Sequence, residues 1–266
     1  MEDTNWLRQT KQTPLFPDVL WNRPENRRHA GKLLIIGGHA QSFNEVSQAY
    51  SAAGQAGVGT ARVILPDKLQ KMLSGVFPEA QYAPSTPIGS FSRQALDTWL
   101  QEATWADAVL LAGDFGRNSE TAILLESFAA KYSGKLALSG DSLDDFLKSP
   151  ASLLNRPNTL IVANLSQLQK LAFGRAFIKQ NSDLATMVRQ IHSLSGKVQA
   201  AIVMEHRAQI IAAYRQQIST TPVTQKTDMT ALAAYATVWW LQQSENSFEA
   251  LTTAVFYLCL DTHTHK

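Results

Sequence analysis

The sequence predicts a three-layer α/β/α domain around a mainly parallel sheet. Three observations predict it. Short, wholly apolar runs recur along the chain, helical patterns alternate with them, and 45% of the 266 residues are hydrophobic, enough for a large core. Residues 1–30 are polar and interrupted by Pro14, Pro17 and Pro24, so they read as an irregular arm, with 31–266 as a single domain.

The first apolar run, 32–36, reads as a buried strand that ends in Gly37-Gly38-His39. Residues 46–56 are rich in Ala and Gln and suit a helix closing near Gly57 and Gly59. The run 61–65 is a second strand, stopped by Pro66. Runs 108–111, 135–138, 159–162 and 200–204 repeat the strand pattern, with helices expected over 93–103, 120–131 and 183–194. Residues 210–214 and 216–222 suit a hairpin at the sheet edge, and the chain then turns helical over 231–243 and 247–260. In open sheets of this kind ligands sit beyond the carboxyl ends of the strands. That rule singles out the turns after Ile36, Leu111, Leu138 and Val162, and the turn 227–230.

Composition removes several function classes. Twenty-four basic and 22 acidic residues leave a net charge of +2, too small a surplus for a dedicated nucleic-acid binder. Arg23, Arg27, Arg28 and Lys32 form a local basic cluster that suits a solvated arm. The one cysteine, Cys259, lies among Phe256, Tyr257, Leu258 and Leu260, so an apolar buried thiol and a reducing cytoplasm are expected. The start of the chain lacks a basic stretch followed by an apolar one, so no signal peptide is expected. Apolar runs fall well short of the ~20 residues that span a bilayer, so no membrane is expected as partner. No Ser/His/Asp triad or zinc spacing stands out, and His263-Thr264-His265-Lys266 reads as a frayed tail.

Thr227-Asp228-Met229-Thr230 is a polar turn that opens the apolar helix beginning at Ala231. Free backbone N–H groups and a positive helix end favour an anion there. Close approach of a phosphate usually calls for glycine, and this turn has none.

Read in order, the turns resemble those of the ADP- or ATP-dependent NAD(P)H-hydrate dehydratases, a branch of the ribokinase-like superfamily. That family shows a strand, G-G-S, an alanine-rich helix, R-x-G-A-G and a second strand ending in proline. Within 31–66, Gly37, Gly38, Gly57, Gly59 and Pro66 hold that spacing, with Gln55 at the arginine. Pro78-Glu79 matches a proline–glutamate pair. Ala112-Gly113-Asp114-Phe115-Gly116-Arg117 resembles G-P-G-L-G-R, and 136–143 resembles a strand followed by D-A-D-A-L. The resemblance covers roughly 20–260.

The departures fall on polar positions. Asn164 and Gln167 stand where T-P-H-P-G-E has histidine and glutamate. Glu205 and His206 stand at the lysine and glycine of a segment lining the nucleotide. The family's glycine–Ser/Thr–glycine–aspartate falls on Thr227-Asp228-Met229-Thr230, which puts Thr230 at the aspartate and Met229 at a glycine. A two-residue slip would bring Asp228 into that place.

In the family that aspartate is the base on the substrate hydroxyl, the glycine turn holds phosphate, and a phosphorylated intermediate eliminates. Threonine has no basicity near neutral pH, and a general base is commonly worth about 10²–10⁴ in rate. Asp228 reads as a relocated base or as a helix N-cap. Asp141 lines the cleft or serves as an ordinary post-strand turn residue. Asp114 replaces a small glycine and, with Glu205, brings negative charge to a phosphate cleft. His39 follows the paired glycines as a ligand contact or a structural histidine. His206 and Arg207 offer cationic donors or belong to a surface turn.

The resemblance therefore implies a carbon–oxygen lyase of nicotinamide-nucleotide repair. Its substrate would be hydrated NADH or NADPH, with ADP or ATP as co-substrate, Mg²⁺ as helper and a homo-oligomeric state. The sites it assigns are Gly38, His39, Gly113, Asp114, Gly116, Asp141, Asn164, Glu205, His206 and Met229 for ligand, Asp228 and Thr230 for catalysis, and none for metal. The departures imply a weakened or inactive copy. The alternative reading is a non-catalytic nucleotide- or metabolite-binding or scaffold protein with the same fold.

Overall fold

Leu33, Leu34, Ile35 and Ile36 are consecutive and all wholly buried, which requires cover on both faces of their strand. A computed structural model shows that cover. It describes residues 5–75, 77, 79–175, 178–179, 181–243 and 245–264, with side chains as far as Leu260. The chain opens with β1 (Trp6–Arg8), α1 (Pro17–Trp21), β2 (Lys32–Gly37), α2 (Asn44–Gln55), β3 (Thr60–Pro66), α3 (Gln70–Leu73) and β4 (Ala80–Ala83). It continues through α4 (Ala95–Ala103), β5 (Ala108–Ala112), α5 (Ser119–Lys131), β6 (Lys135–Ser139), α6 (Pro150–Leu154) and β7 (Thr159–Ala163). Then follow α7 (Leu165–Leu171), α8 (Leu184–Ser195), β8 (Ala201–His206), β9 (Gln209–Tyr214), β10 (Gln217–Pro222), α9 (Met229–Gln242) and α10 (Ser247–Thr264).

Among the described residues the strands form one ten-stranded sheet in the order β1-β10-β9-β8-β7-β6-β5-β2-β3-β4. From β4 to β8 every pairing is parallel, and β9 is antiparallel to both neighbours. The chain runs outward from β2 through β3 to β4, then returns to place β5 on the other side of β2. The switch point lies between β2 and β5, where doubly wound sheets open a crevice at their carboxyl ends.

Strand alternation divides the core in two. Leu34, Ile36, Val109 and Leu111 pack with Trp99 of α4, Phe128 of α5 and Met187 of α8. Leu33, Ile35, Leu110 and Ala112 pack on the opposite face with Val46 of α2, Tyr235 and Trp239 of α9, and Leu251 of α10. α9 is apolar nearly all round because α2, α10 and strands β5, β6 and β7 enclose it. The aromatic pairs at 239–240 and 256–257 serve this packing, with Trp239 stacked on Tyr257 at 4.9 Å and 16°.

The α/β reading and the mainly parallel sheet hold. The arm is not irregular throughout. Trp6–Arg8 adds a parallel edge strand, held by Trp6 Nε1 on Thr220 Oγ1 (3.0 Å) and by Gln9 Nε2 on Thr221 Oγ1 and the Thr252 carbonyl (both 2.9 Å). Three residues are too few to show a period. The hairpin of β9 and β10 is therefore covered by β1 instead of forming the edge itself. β4, α6 and α7 also escaped the sequence, each being four to seven residues long. The last helix continues to Thr264, past the expected end. Pro78, His265 and Lys266 lie outside the described residues, as do Met1–Thr4.

Candidate functional site

The site residues gather where β2 and β5 end side by side. A Cβ on Gly37 would stand 1.9 Å from the Ala112 carbonyl oxygen, so glycine is what lets the two strand ends meet. Gly38 and Gly113 follow with φ of 81° and 82°. Across this junction His39 Nε2 lies 2.9 Å from Asp114 Oδ2, while Asp114 Oδ1 accepts the Gly116 N–H at 2.7 Å. Asp114 thus holds the G-D-F-G turn in shape. A side chain on Gly116 would strike Ser90 Oγ and approach the His39 ring.

Carboxylates converge on the same place. Glu45, in the first turn of α2, lies over Gly113, with Oε2 2.6 Å from where a Cβ would stand there. Burial pushes the Glu45 carboxyl above its ordinary value, reinforced by Asp141, Asp114 and Asp228, and the Asp114 N–H offsets part of this. Asp141 stands at the rim of the turn after β6; burial first, then Asp114 and Asp144, raise it. Asp145 rises from 3.8 to about 6 through burial and the neighbouring Asp144, Asp141 and Glu126. Asp114, Gly116, Arg117, Asp141, Asp144 and Asp145 line one small hollow. Glu45, Asp144 and Asp145 were missed in the sequence. A glutamate in the first turn of the helix after the double glycine was the available signal, and it carried no functional weight because a helix start favours acids in general.

The 227–230 turn is shorter than the sequence suggested. α9 begins at Met229, so Met229 and the buried Thr230 lie inside the helix. Asp228 is its N-cap: Oδ1 accepts the N–H groups of Thr230 (2.8 Å) and Ala231 (3.2 Å). Glu205, at the end of β8, accepts the Thr227 N–H at 3.2 Å. Three donors that could face an anion are thus held by the chain's own carboxylates.

The other assigned positions also hold structure together. Asn164 and Gln167 form a reciprocal capping box on α7 at 2.9 and 3.3 Å. The Gln167 amide also donates to the Gly140 carbonyl (2.9 Å) and to Asp144 (3.3 Å), tying α7 to the turn after β6. His206 is buried, with Nε2 3.1 Å from the Ser182 carbonyl, and burial holds its pKa below the ordinary histidine value. Arg207 is exposed, with φ of 55°, in the tight turn between β8 and β9. The structure therefore brings Gly38, His39, Gly113, Asp114, Gly116 and Asp141 together, with Asp228 close enough to couple to Glu45. Asn164, Glu205 and His206 are engaged in local bonds.

The residues present do not fit ADP or ATP in the pose that the resemblance implies. The N–H groups of Thr227, Thr230 and Ala231 are engaged by carboxylates, and the facing groups are mostly acidic. Among the described residues, no three His, Cys, Asp or Glu side chains come close enough to hold a metal ion. A groove of about 640 Å³, open solvent included, adjoins Asp228 and is lined by Lys11, Lys226, Thr224 and the α10 residues Phe256, Leu258 and Cys259. Burial pushes the Cys259 thiol up to about 11, so it is no nucleophile at neutral pH. Among the described residues, no helix is long and apolar enough to cross a membrane.

No protein-family model matches the chain. Over 116 residues it is 26% identical to the bifunctional NAD(P)H-hydrate repair enzyme of Moorella thermoacetica; the match spans 43% of this chain and 22% of that longer protein. A ribokinase-like superfamily protein from Enterococcus faecalis superimposes with a TM-score of 0.75 at 16% identity, covering 100% of this chain and 91% of the other. The ADP/ATP-dependent NAD(P)H-hydrate dehydratase from Bacillus subtilis, co-crystallised with ATP and Mg²⁺ and soaked with CoA, gives 0.61 at 13%, covering 96% and 91%. Phosphomethylpyrimidine kinase from Clostridium difficile gives 0.57 at 11%, covering 88% and 99%. The fold is ribokinase-like, and the dehydratase resemblance read from the motifs recurs in the sequence match and among the structural neighbours.

Proposed function

We propose that this chain is a divergent relative of the ADP- or ATP-dependent NAD(P)H-hydrate dehydratases in which the dehydration is weakened or lost. The observation behind this reading is the opening of α9. The reaction needs a carboxylate within reach of the substrate hydroxyl and free donors for the phosphoryl oxygens. Thr230 supplies no carboxylate, and Asp228 spends Oδ1 on two backbone N–H groups. Glu205 takes a third donor. Glu45, Asp114 and Asp141 add negative charge where a nucleotide would need compensation.

What the residues still do is structural and electrostatic. Asp228 starts the helix, Asp114 shapes the turn after β5, and the glycines bring two strand ends together. These roles keep the fold without requiring turnover. The test is recovery of NADPH from its hydrate by the native protein with ADP or ATP and Mg²⁺. Recovery should fall at least about 100-fold below that of the Bacillus subtilis dehydratase run alongside. A comparable rate would overturn the reading.

A further inference from the structure

Burial acts in opposite senses on a thiol and an amine. It pushes the Cys259 thiol up to about 11, away from the reactive thiolate. It pushes the Lys135 amine down from 10.5 to about 8, towards the free base that acts as a nucleophile, and Asp107 offsets part of this. The geometry accounts for the shift. Lys135 opens β6 at the amino end of the sheet. Its Nζ donates to the Trp240 carbonyl of α9 at 2.7 Å and lies 5.1 Å from the centre of the Trp240 ring. Among the described residues it forms no ion pair, so a half-buried ammonium rests on one neutral acceptor and an indole face. Ser133, just before it in the turn from α5, is exposed, so this end of β6 meets solvent.

The charged and titratable groups around Lys135 are Asp107 before β5, Lys32 at the start of β2, and Tyr132 and Arg156 beside the turn into β6. Asp107 Oδ2 accepts the Lys32 N–H at 2.8 Å, and its charge reaches both Lys135 and Tyr132. Tyr132, pushed up to about 12 by burial, stays neutral. Arg156 spends its guanidinium on backbone carbonyls, those of Tyr132 and Gly134 among them, and among the described residues no carboxylate pairs with it. Lys32, Arg156 and Lys135 against Asp107 leave a local positive surplus, which draws an anionic reagent.

We propose that Lys135 Nζ is a site of covalent acylation by a small acyl phosphate. The neutral amine attacks the acyl carbon, a C–N bond forms, and the C–O bond to phosphate breaks. Inorganic phosphate leaves with the electron pair, and Nζ gives up its proton to water. The product suits its surroundings: the amide N–H can still donate to the Trp240 carbonyl, and no half-buried charge remains. A carbamate formed with carbon dioxide would instead set a negative charge beside Asp107 and the carbonyl end of α9, and both oppose it. The site lies at the amino end of the sheet, away from the start of α9, and is independent of the reading given to that turn.

The experiment treats the full native chain with acetyl phosphate and follows each lysine by peptide mass spectrometry from about pH 7 to about pH 9. At about pH 8, about half of the Lys135 amine is free base, against about one in 300 for an ordinary lysine. A less basic amine is a weaker nucleophile, as with thiols, which takes back about tenfold. Lys135 should therefore be acetylated about tenfold faster than the exposed Lys68 and Lys131. Across the pH range its rate should rise about tenfold and level off, while theirs rises about 100-fold. Asp107→Asn, which keeps an acceptor for the Lys32 N–H, should raise the Lys135 rate at about pH 7 by at least about twofold. Acetylation of Lys135 no faster than that of Lys68 and Lys131, a pH profile parallel to theirs, or a rate unmoved by Asp107→Asn would overturn the proposal. Turnover of hydrated NADPH would overturn the functional reading instead, so the two failures are separable.

Discussion

The lower rows of the sheet and its carboxyl-terminal mouth obey different physics. Below the mouth, β2, β5, β6 and β7 are held by apolar burial and by glycines that allow close approach. At the mouth, polar residues occupy each other: Asp228 with the α9 start, Glu205 with Thr227, Asn164 with Gln167, His39 with Asp114. Many sequences satisfy an apolar row, whereas a catalytic constellation depends on one carboxylate in one place. A fold of this type therefore tolerates wider change than its reaction does.

The largest effect expected on the scaffold side is that of Gly37→Ala. Its methyl would enter the Ala112 carbonyl, and strand ends have no room to part, so a thermal melt should show a loss above about 3 kcal/mol or no folded protein. A melt close to the native one would break the contrast between a rigid framework and a permissive mouth. Asp228→Ala comes next. Loss of the cap should cost about 1–2 kcal/mol, read as a drop of roughly 2–6 °C in Tm. No drop would mean that Asp228 does not serve the helix.

Asp145→Asn sharpens the electrostatic half. Its folded carboxyl sits at about 6 against an ordinary 3.8, so between those values the folded chain keeps a proton that the unfolded chain has released. Stability is therefore lost as pH rises through that window. The substitution should raise Tm by about 2–4 °C near pH 7.5, screening having reduced the full shift, and the gain should vanish towards about pH 4. A gain equal at both pH values would contradict a carboxyl raised by burial and its acidic neighbours. Smallest is Gly54→Ala, on an open helical surface with nothing within 4 Å of the added methyl. It should stabilise α2 by about 0.5–1 kcal/mol. Gly54 and Gly37 would then show that location decides a glycine's worth.

The scaffold was legible because buried parallel strands leave runs such as 32–36 and 108–111, and their order exposes the glycine turns. The short pieces were not, since Trp6–Arg8 and Ala80–Ala83 depend on partners far along the chain. In the site, Asp228 caps α9, as one of its two readings had it. Pattern alone did not reveal that Asn164 and Gln167 cap each other or that Glu45 lies over Gly113. The first is a local i, i+3 pattern that shows only once a helix start is placed at Leu165, whereas the second arises from tertiary geometry, to which composition and period are blind.

Under the proposed function, the chain's own carboxylates close the start of α9 to phosphate. Calorimetric titration of the native protein with ADP or ATP in the presence of Mg²⁺ tests it most directly. No saturable heat is expected up to about 1 mM nucleotide. A one-to-one isotherm with Kd at or below about 100 μM, lost in a competition with inorganic phosphate, would contradict it.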